Sequence, residues 1–225
     1  MIINSEPSHT IEIYQLRAYI RQISPLIWRR ILVRSDSTIA DLHYTLQIAF
    51  GWNDTYLHKF TLRGKDYGIA YSGGISFSDD PHKVKLRDLN LRLKERFVYE
   101  YNFFVHWEVE IRLEKLVVSD PRKTYPVCIE GARTAPPEDC DGPVAFMSFQ
   151  QGPSFFDVID IEQRLIEIVK DGDLTDEEKI EDCKEALVPL STWLHVKQFD
   201  RHTINQWLKR YALKENGWLE VFEEA

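Results

Sequence analysis

Alternating apolar and polar residues predict a β-sheet in the first part of the chain. The alternation runs from Ile11 to Arg21, from His58 to Leu62, and through the aromatic stretches Phe97 to Phe103 and Trp107 to Leu113. A period of two is typical of strands that bury one face. The run Ile27 to Val33 is rich in β-formers and follows the first strand closely enough to pair with it. We therefore expect a sheet built from hairpins.

A helical period appears once between these strands and again toward the end of the chain. Apolar residues recur at helical spacing from Ile39 to Phe50, with Ser37 or Thr38 as a possible N-cap. Gly51 can close this helix. Three later helices are predicted at Val158 to Val169 before Gly172, at Ile180 to Leu187 behind a Thr175/Glu178 capping box, and from near Asp200 through Ile204, Trp207, Leu208 and Tyr211.

The order of these elements predicts the fold class. Strands followed by helices, without regular βαβ alternation, favour an α+β fold. We expect an antiparallel sheet of hairpins packed on one main helix, followed by a helical C-terminal extension. Gly64 to Pro81 and Pro121 to Pro143 are predicted loops because glycine and proline are frequent there. The second loop suggests a core over 1–150 and an extension over 151–225, packed on the core as one globular unit.

The composition is that of a folded protein. Hydrophobic residues make up 44% of the 225 positions, which is enough for a core at this length. No apolar run approaches the roughly 20 residues that span a bilayer, and the first ten residues lack the features of a secretory signal. Three cysteines do not form a disulfide framework. We therefore expect a cytoplasmic protein that does not bind membranes.

Charge is unevenly distributed along the chain, although the formal net charge is −8. Ile11 to Ser35 carries a local charge of +4, Glu130 to Glu185 carries −11, and His195 to Lys214 returns to +4. Two explanations remain open: each segment is the solvated face of an amphipathic element, or the basic hairpin is a groove for a polyanion. We also expect the acidic Glu162 to Glu185 region to dock on Arg29, Arg30 and Arg34.

The first hairpin is the candidate binding surface. Trp28 could stack on a base while the adjacent Arg29 and Arg30, together with Arg34, neutralise phosphates. His58 is a further candidate binding residue. This would let nucleic acid bind through the Arg17 to Arg34 hairpin. The alternative is that the tryptophan lies in the core and its arginines reach facing acids. The identity of the macromolecular partner does not follow from the residues.

The familiar catalytic motifs are missing. The chain contains no GxxxxGK[ST] phosphate loop, no GxGxxG turn, no GxSxG elbow and no HExxH pair. Whether the protein is an enzyme is uncertain from these residues, and the expectation leans toward no.

Five segments together resemble the plasmid pRiA4b ORF-three-like family. They are SPLIWRRILV (Ser24 to Val33), ADLHYTLQIAFGW (Ala40 to Trp52), YLHKF (Tyr56 to Phe60), YEYNFFVHWEVEIRLEK (Tyr99 to Lys115) and YPVCIEGARTAPPEDCDGP (Tyr125 to Pro143). The resemblance implies an α+β fold and an unknown activity. It also carries the label of an insertion-element passenger, or TnpR-like protein, which points to genetic context and not to chemistry.

The chain departs from the family pattern at two places. Asn102, Phe104, Val105 and Val109 stand where the family carries two aspartates, a glycine and a histidine. Because carboxylates and imidazoles bind cations and carry protons, an activity that depended on them would be lost here. In the proline-rich loop, Ala135 replaces the middle one of three cysteines.

The remaining cysteines and nearby ligands define a candidate site for a zinc-like metal. Its members are Cys128, Cys140, Glu138, His58 and His106. The alternative is that the cysteines pack the loop as small buried residues, and that His58 is retained in its LHxF motif for structural reasons. Two functions follow: a non-enzymatic interaction module that binds protein or nucleic acid, or a degenerate metal-binding domain or metal-dependent enzyme that uses the Cys128 to Cys140 loop.

Overall fold

The computed structural model describes residues 12–71, 73–150, 152, 154–171, 180, 181, 184, 187, 188 and 198–215. Its strands are β1 (Glu12–Ile20), β2 (Trp28–Arg34), β3 (His58–Leu62), β4 (Lys65–Tyr67), β5 (Arg96–Tyr101), β6 (Trp107–Val118) and β7 (Val127–Ala132). They form one antiparallel sheet in the order β4-β3-β5-β6-β1-β2-β7. The predicted α+β class, with hairpins β1–β2 and β5–β6, is confirmed.

The described helices are α1 (Ile39–Phe50), α2 (Gly142–Gln150), α3 (Phe155–Asp171) and α4 (Arg201–Ala212), together with a short 3-10 turn at Leu86–Leu89. In these parts of the chain, no helix is long and apolar enough to cross a membrane. The predicted Thr175/Glu178 capping box and most of the helix behind it lie outside the described residues.

Helix α1 is the predicted main helix, and both of its ends are capped. The hydroxyl of Thr38 accepts a hydrogen bond from the Asp41 backbone N–H, and the Asp41 carboxylate accepts one from the Thr38 N–H in return. Gly51 ends the helix with a φ of 72°, a left-handed conformation that glycine adopts without steric cost. The apolar side of α1 packs on one face of the sheet, where it builds the core with Trp52, Trp107 and the strand residues that point the same way.

The structure places elements inside both predicted loops. Strand β4 forms a hairpin with β3 after the turn at Gly64, and β7 adds an edge strand beside β2. Helix α2 begins at Gly142, with Pro143 in its first turn. Proline is tolerated there because backbone N–H groups in the first turn have no partner within the helix. The prolines that mark these loops therefore flank short elements, which the loop prediction missed.

Helix α4 attaches the C-terminal part to the core. Asp200 caps it by accepting hydrogen bonds from the N–H groups of His202 and Thr203. The helix therefore begins where the sequence predicted, near Asp200. Leu208 is fully buried against Ile48 of α1 and Cys128 of β7. The helix thus covers the sheet beside α1. The division of the chain at residue 150 remains a prediction.

We predict that Leu208→Ala destabilises the protein by about 2–5 kcal/mol, because it leaves a cavity between α4, α1 and β7 that the surrounding backbone fills only in part. Urea unfolding followed by circular dichroism measures this change. Leu213→Ala is the matched control, since Leu213 is 53% exposed at the end of the same helix, and its effect should stay within about 0.5 kcal/mol. Equal effects of the two substitutions would show that α4 does not support the core.

Candidate functional site

The sheet face opposite α1 carries most of its charge, and we call it the polar face. Alternation along β1 sends Tyr14, Leu16, Ala18 and Ile20 into the core and Gln15, Arg17 and Tyr19 to the polar face. Directly paired residues on neighbouring antiparallel strands point to the same side of a sheet. The strand pairing therefore determines which charges meet on this face.

Four arginines lie in one line across four strands of the polar face, and we call them the arginine row. Arg96 of β5 pairs with Arg112 of β6, Arg112 pairs with Arg17 of β1, and Arg17 pairs with Arg30 of β2. With strands about 4.8 Å apart, the row extends for roughly 14 Å. Like charges directly opposite each other on a sheet are destabilising, so this alignment carries a cost in stability.

Acidic residues neutralise the two ends of the row. Glu110 is only 6% exposed, and its carboxylate accepts from Arg21 and forms an ion pair with Arg96, both at 3.1 Å. At the other end, Arg30 contacts Glu114 at 2.7 Å and also Glu130. The hydrogen bonds from Arg30 lower the pKa of the Glu114 carboxyl, so this acid is ionised at neutral pH.

The two central arginines have no such partners. Neither Arg17 nor Arg112 forms an ion pair within 4.0 Å with any residue in the described part of the chain. In both residues, the Nε atom is buried and has no hydrogen-bond partner. A buried donor left without an acceptor costs about 1–3 kcal/mol. The middle of the polar face therefore carries two guanidinium groups without an ion pair, although Arg17 is near enough to Glu114 to help lower the pKa of that carboxyl.

Aromatic rings border the row. The guanidinium carbons of Arg17 and Arg30 lie 5.0 and 5.2 Å from the ring centroid of Trp28, within the range of a cation–π interaction. Tyr19 of β1 pairs directly with Trp28 of β2 on one side and with Glu110 of β6 on the other. Trp28 is only partly buried, so it lies at the edge of the polar face and not in the core.

Arg29, one of the predicted binding residues, serves the fold instead. It is 2% exposed on the core side of β2, and its Nε donates to the backbone oxygen of Ala49 at 2.7 Å. A further nitrogen donates to the carbonyl groups of Trp28 and Ala132. Burial lowers the pKa of this guanidinium to about 10, which leaves it charged at neutral pH. It therefore stabilises the last turn of α1 and lies on the opposite side of the sheet from the polar face.

The predicted docking of the acidic 162–185 region on the basic hairpin does not account for the partners of these arginines. Arg34 forms two hydrogen bonds, each 2.8 Å long, with Asp36, two residues further along the chain. The partners of Arg30 come from β6 and β7, and those of Arg29 are backbone oxygens. Within the described residues, β6, β7 and the turn after β2 supply the acids that we expected from the extension.

The predicted metal set of the Cys128 to Cys140 loop is not brought together. Cys128 lies beneath α4, where its backbone N–H and C=O bond the side chain of Asn205. Cys140 packs against the main core before α2. Burial raises the pKa of both thiols, which disfavours the thiolate that a metal needs. The two cysteines therefore pack as small apolar residues.

Glu138 and His106 also have structural partners. The Glu138 carboxylate accepts hydrogen bonds from the Tyr101 hydroxyl at 2.6 Å and from the Asn53 N–H at 2.9 Å. It thereby ties the proline-rich loop to the end of α1 and to β5. His106 lies at the exposed turn between β5 and β6, where its Nδ1 is 2.9 Å from Glu100. Among the described residues, no group of three potential metal ligands combines either residue with a cysteine.

His58 instead lies beside two residues that the sequence did not single out. Among the described residues, one group of three could hold a metal ion: His43 of α1, Asp54 of the following loop and His58 of β3, with one ligand atom from each within 4.8 Å of the others. Burial lowers the pKa of both imidazoles; Asp54 opposes this shift at His43, whereas the adjacent His43 adds to it at His58. Both rings are therefore neutral at pH 7, the form that binds metals.

Comparisons with known proteins agree on the fold and the family. The chain is 26% identical over 141 residues to the uncharacterized protein y4hQ of Sinorhizobium fredii, a match that covers 61% of this chain and 71% of that protein. A crystal structure of a protein of unknown function, MM3350 from Methanosarcina mazei Go1, superposes with a TM-score of 0.61 at 28% identity and covers 85% of this chain and 96% of that one. The sequence profile of the plasmid pRiA4b ORF-3-like proteins matches residues 12–154, and the chain therefore belongs to this family.

Proposed function

We propose that the protein is a non-enzymatic interaction module that binds single-stranded nucleic acid on the polar face of its sheet. The observation that carries this proposal is the arginine row, in which Arg17 and Arg112 face each other and form no ion pair within 4.0 Å among the described residues. A protein that needed only stability would gain by replacing one of them with a neutral residue. An unfavourable contact between like charges that lowers stability is typical of a functional site.

The chemistry of the row favours phosphate. A guanidinium presents several N–H groups in one plane and can form two parallel hydrogen bonds to a single phosphate. The guanidinium groups of Arg17 and Arg112 form no ion pair among the described residues, and phosphates along a nucleic-acid backbone would supply the missing negative charge. The proposal differs from the sequence-based one in its residues, because Arg112 and Arg96 join the surface and Arg29 leaves it.

The shape of the surface favours a single strand. The row lies on a sheet face and not on a helix that could enter the major groove of a duplex. A flat sheet that combines cations with aromatic rings suits unpaired bases, which stack on aromatic side chains while the backbone follows the positive charges. Trp28 and Tyr19 are the rings next to the row.

The overall charge sets the strength of binding. A protein with a net charge of −8 repels polyanions at long range, so we expect a dissociation constant in the micromolar range that weakens steeply with salt. The insertion-element context that the resemblance implies is compatible with a nucleic-acid partner. Cys128 and Cys140 are free thiols, which supports the proposed cytoplasmic location, since that compartment is reducing.

We predict that Arg17→Met and Arg112→Met each weaken binding of fluorescently labelled single-stranded RNA or DNA several-fold, measured by anisotropy at about 50 mM salt. Methionine keeps the length of the apolar stem and removes the charge. Each substitution should also reduce the slope of log K against log salt by about 0.7, the value for one phosphate contact on a single strand.

Arg122→Met is the matched control, because Arg122 is 89% exposed in the loop after β6 and pairs with Asp120. It makes the same change in net charge away from the polar face and should leave binding unchanged. The proposal is wrong if the wild-type protein does not bind at about 100 µM, or if all three variants weaken binding equally. Binding of a polyglutamate peptide in place of nucleic acid would assign the face to an acidic protein.

A further inference from the structure

Three metal-ligating side chains converge at the opposite side of the sheet from the arginine row. His43 lies in the middle of α1, Asp54 follows the end of this helix, and His58 begins β3. His43 and His58 are 0% and 2% exposed. A buried cluster of polar side chains is expensive unless its hydrogen-bonding capacity is used, so the partners of each atom matter.

His43 is held firmly in place by its neighbours. Its Nδ1 is 2.9 Å from the Tyr99 hydroxyl, and its Nε2 is 2.8 Å from the Asp54 carboxylate. Gln47 donates to the same tyrosine hydroxyl at 2.7 Å and accepts from the Asp54 N–H at 2.9 Å. In metal proteins, a hydrogen bond at the second nitrogen of a ligating histidine fixes its tautomer and orientation. The Tyr99 hydroxyl is in place to do this for His43, and an ion would replace the hydrogen bond between His43 Nε2 and Asp54.

His58 has an unused ring nitrogen. Its Nε2 accepts a hydrogen bond from the Ile69 N–H at 3.3 Å, whereas its Nδ1 is buried and has no partner in the described part of the chain. An imidazole that accepts at one nitrogen and is neutral carries its proton on the other. The protein therefore buries the Nδ1 group of His58 without a hydrogen-bond partner. This is a second observation, separate from the clustering of the three side chains.

The stacking of the two rings indicates which residue must move to bind an ion. The imidazoles of His43 and His58 are nearly parallel, with centroids 3.6 Å apart and an angle of 13° between their planes. A metal ion lies in the plane of each ring that binds it, so two stacked rings cannot share one ion without rotation. His58 makes one long hydrogen bond and His43 makes two short ones, so His58 is the ring that turns.

An ion can reach the cluster from the side of Asp54. The side chain of this aspartate is 13% exposed, and the Tyr71 hydroxyl lies 3.3 Å from each of its carboxylate oxygens. Tyr71 is itself 38% exposed and belongs to the glycine-rich segment after β4. Displacement of this tyrosine, whose ring also borders His58, would open the carboxylate to solvent.

We propose that His43, Asp54 and His58 form a binding site for one Zn²⁺ ion, with a fourth position open to water or to an exogenous ligand. Two imidazole nitrogens and one carboxylate oxygen are a donor set of catalytic zinc sites. Ca²⁺ and Mg²⁺ prefer oxygen ligands alone, and Cu⁺ prefers sulfur. This site replaces the Cys128 to Cys140 loop as the metal centre, and it does not depend on the function proposed for the polar face.

Titration of chelator-treated protein with Zn²⁺ by calorimetry tests the proposal, with Co²⁺ as a spectroscopic probe whose visible absorption reports the ligands. We expect one ion per chain and a rise in the melting temperature when Zn²⁺ is added. Asp54→Asn and His58→Gln should each weaken Zn²⁺ binding by at least about tenfold. Asp54 lies in a loop, so we expect Asp54→Asn to fold. This variant therefore still tests the site if His58→Gln fails to fold.

Two control variants distinguish this site from other ligands. His106→Gln removes an exposed imidazole at the β5–β6 turn and should leave Zn²⁺ binding unchanged. The double variant Cys128→Ser/Cys140→Ser should also bind normally, and the Co²⁺ complex of the wild-type protein should show no thiolate charge-transfer band. Absence of stoichiometric Zn²⁺ binding, or loss of binding in the cysteine variant with retention in Asp54→Asn and His58→Gln, would overturn the proposal.

Discussion

The register between β1 and its two neighbours determines the chemistry of the polar face. A bulge between Gln15 and Leu16 divides the pairing of β1 with β6 into two registers, and Arg17 faces Arg112 in the second. Because side chains alternate with a period of two, a slip by one residue would turn the arginines into the core and the apolar residues outward. Burial of Leu16, Ala18 and Ile20 thus fixes the register, and the arginine row follows from it.

The family motifs are mostly explained by contacts within the core. Arg29 of the first motif bonds the Ala49 carbonyl in the second, and the indole N–H of Trp52 donates to the Pro136 carbonyl in the proline-rich motif at 3.0 Å. Glu138 of that same motif bonds Asn53 and Tyr101. These residues join α1, the sheet and the loop into one unit. Membership of the family therefore specifies the fold, and the function must be argued from the remaining polar residues.

Local patterns in the sequence predicted the elements with strong periodicity and missed the short ones. Alternation identified β1, β5 and β6, and the apolar spacing with its caps identified α1, because these signals lie within one element. Strand β7 was missed because its six residues stand between prolines and gain their stability from pairing with β2 and from α4. The same limit applies to His43, because its hydrogen-bond partners come from β5 and from the loop after α1.

The arginine row could not be predicted for a related reason. Arg17 and Arg112 are 95 positions apart in the sequence, and each looks like an ordinary solvated residue on its own strand. Only the antiparallel register places them side by side. Similarly, the sequence assigned Arg29 and Arg30 the same role, whereas adjacent residues of a strand point to opposite faces, so one became a core residue and the other a member of the row.

The central claim is that Arg17 and Arg112 repel each other in the folded protein. A double-mutant cycle tests it, using urea unfolding of the wild type, Arg17→Met, Arg112→Met and the double variant. Removal of either charge already abolishes the repulsion, so removal of the second charge brings no further gain from it. The account therefore predicts that the double variant gains less stability than the sum of the gains of the two single variants. The expected difference is about 0.2–1 kcal/mol and should shrink in high salt. A coupling energy of zero, or one that stabilises the wild-type pair, would contradict the account.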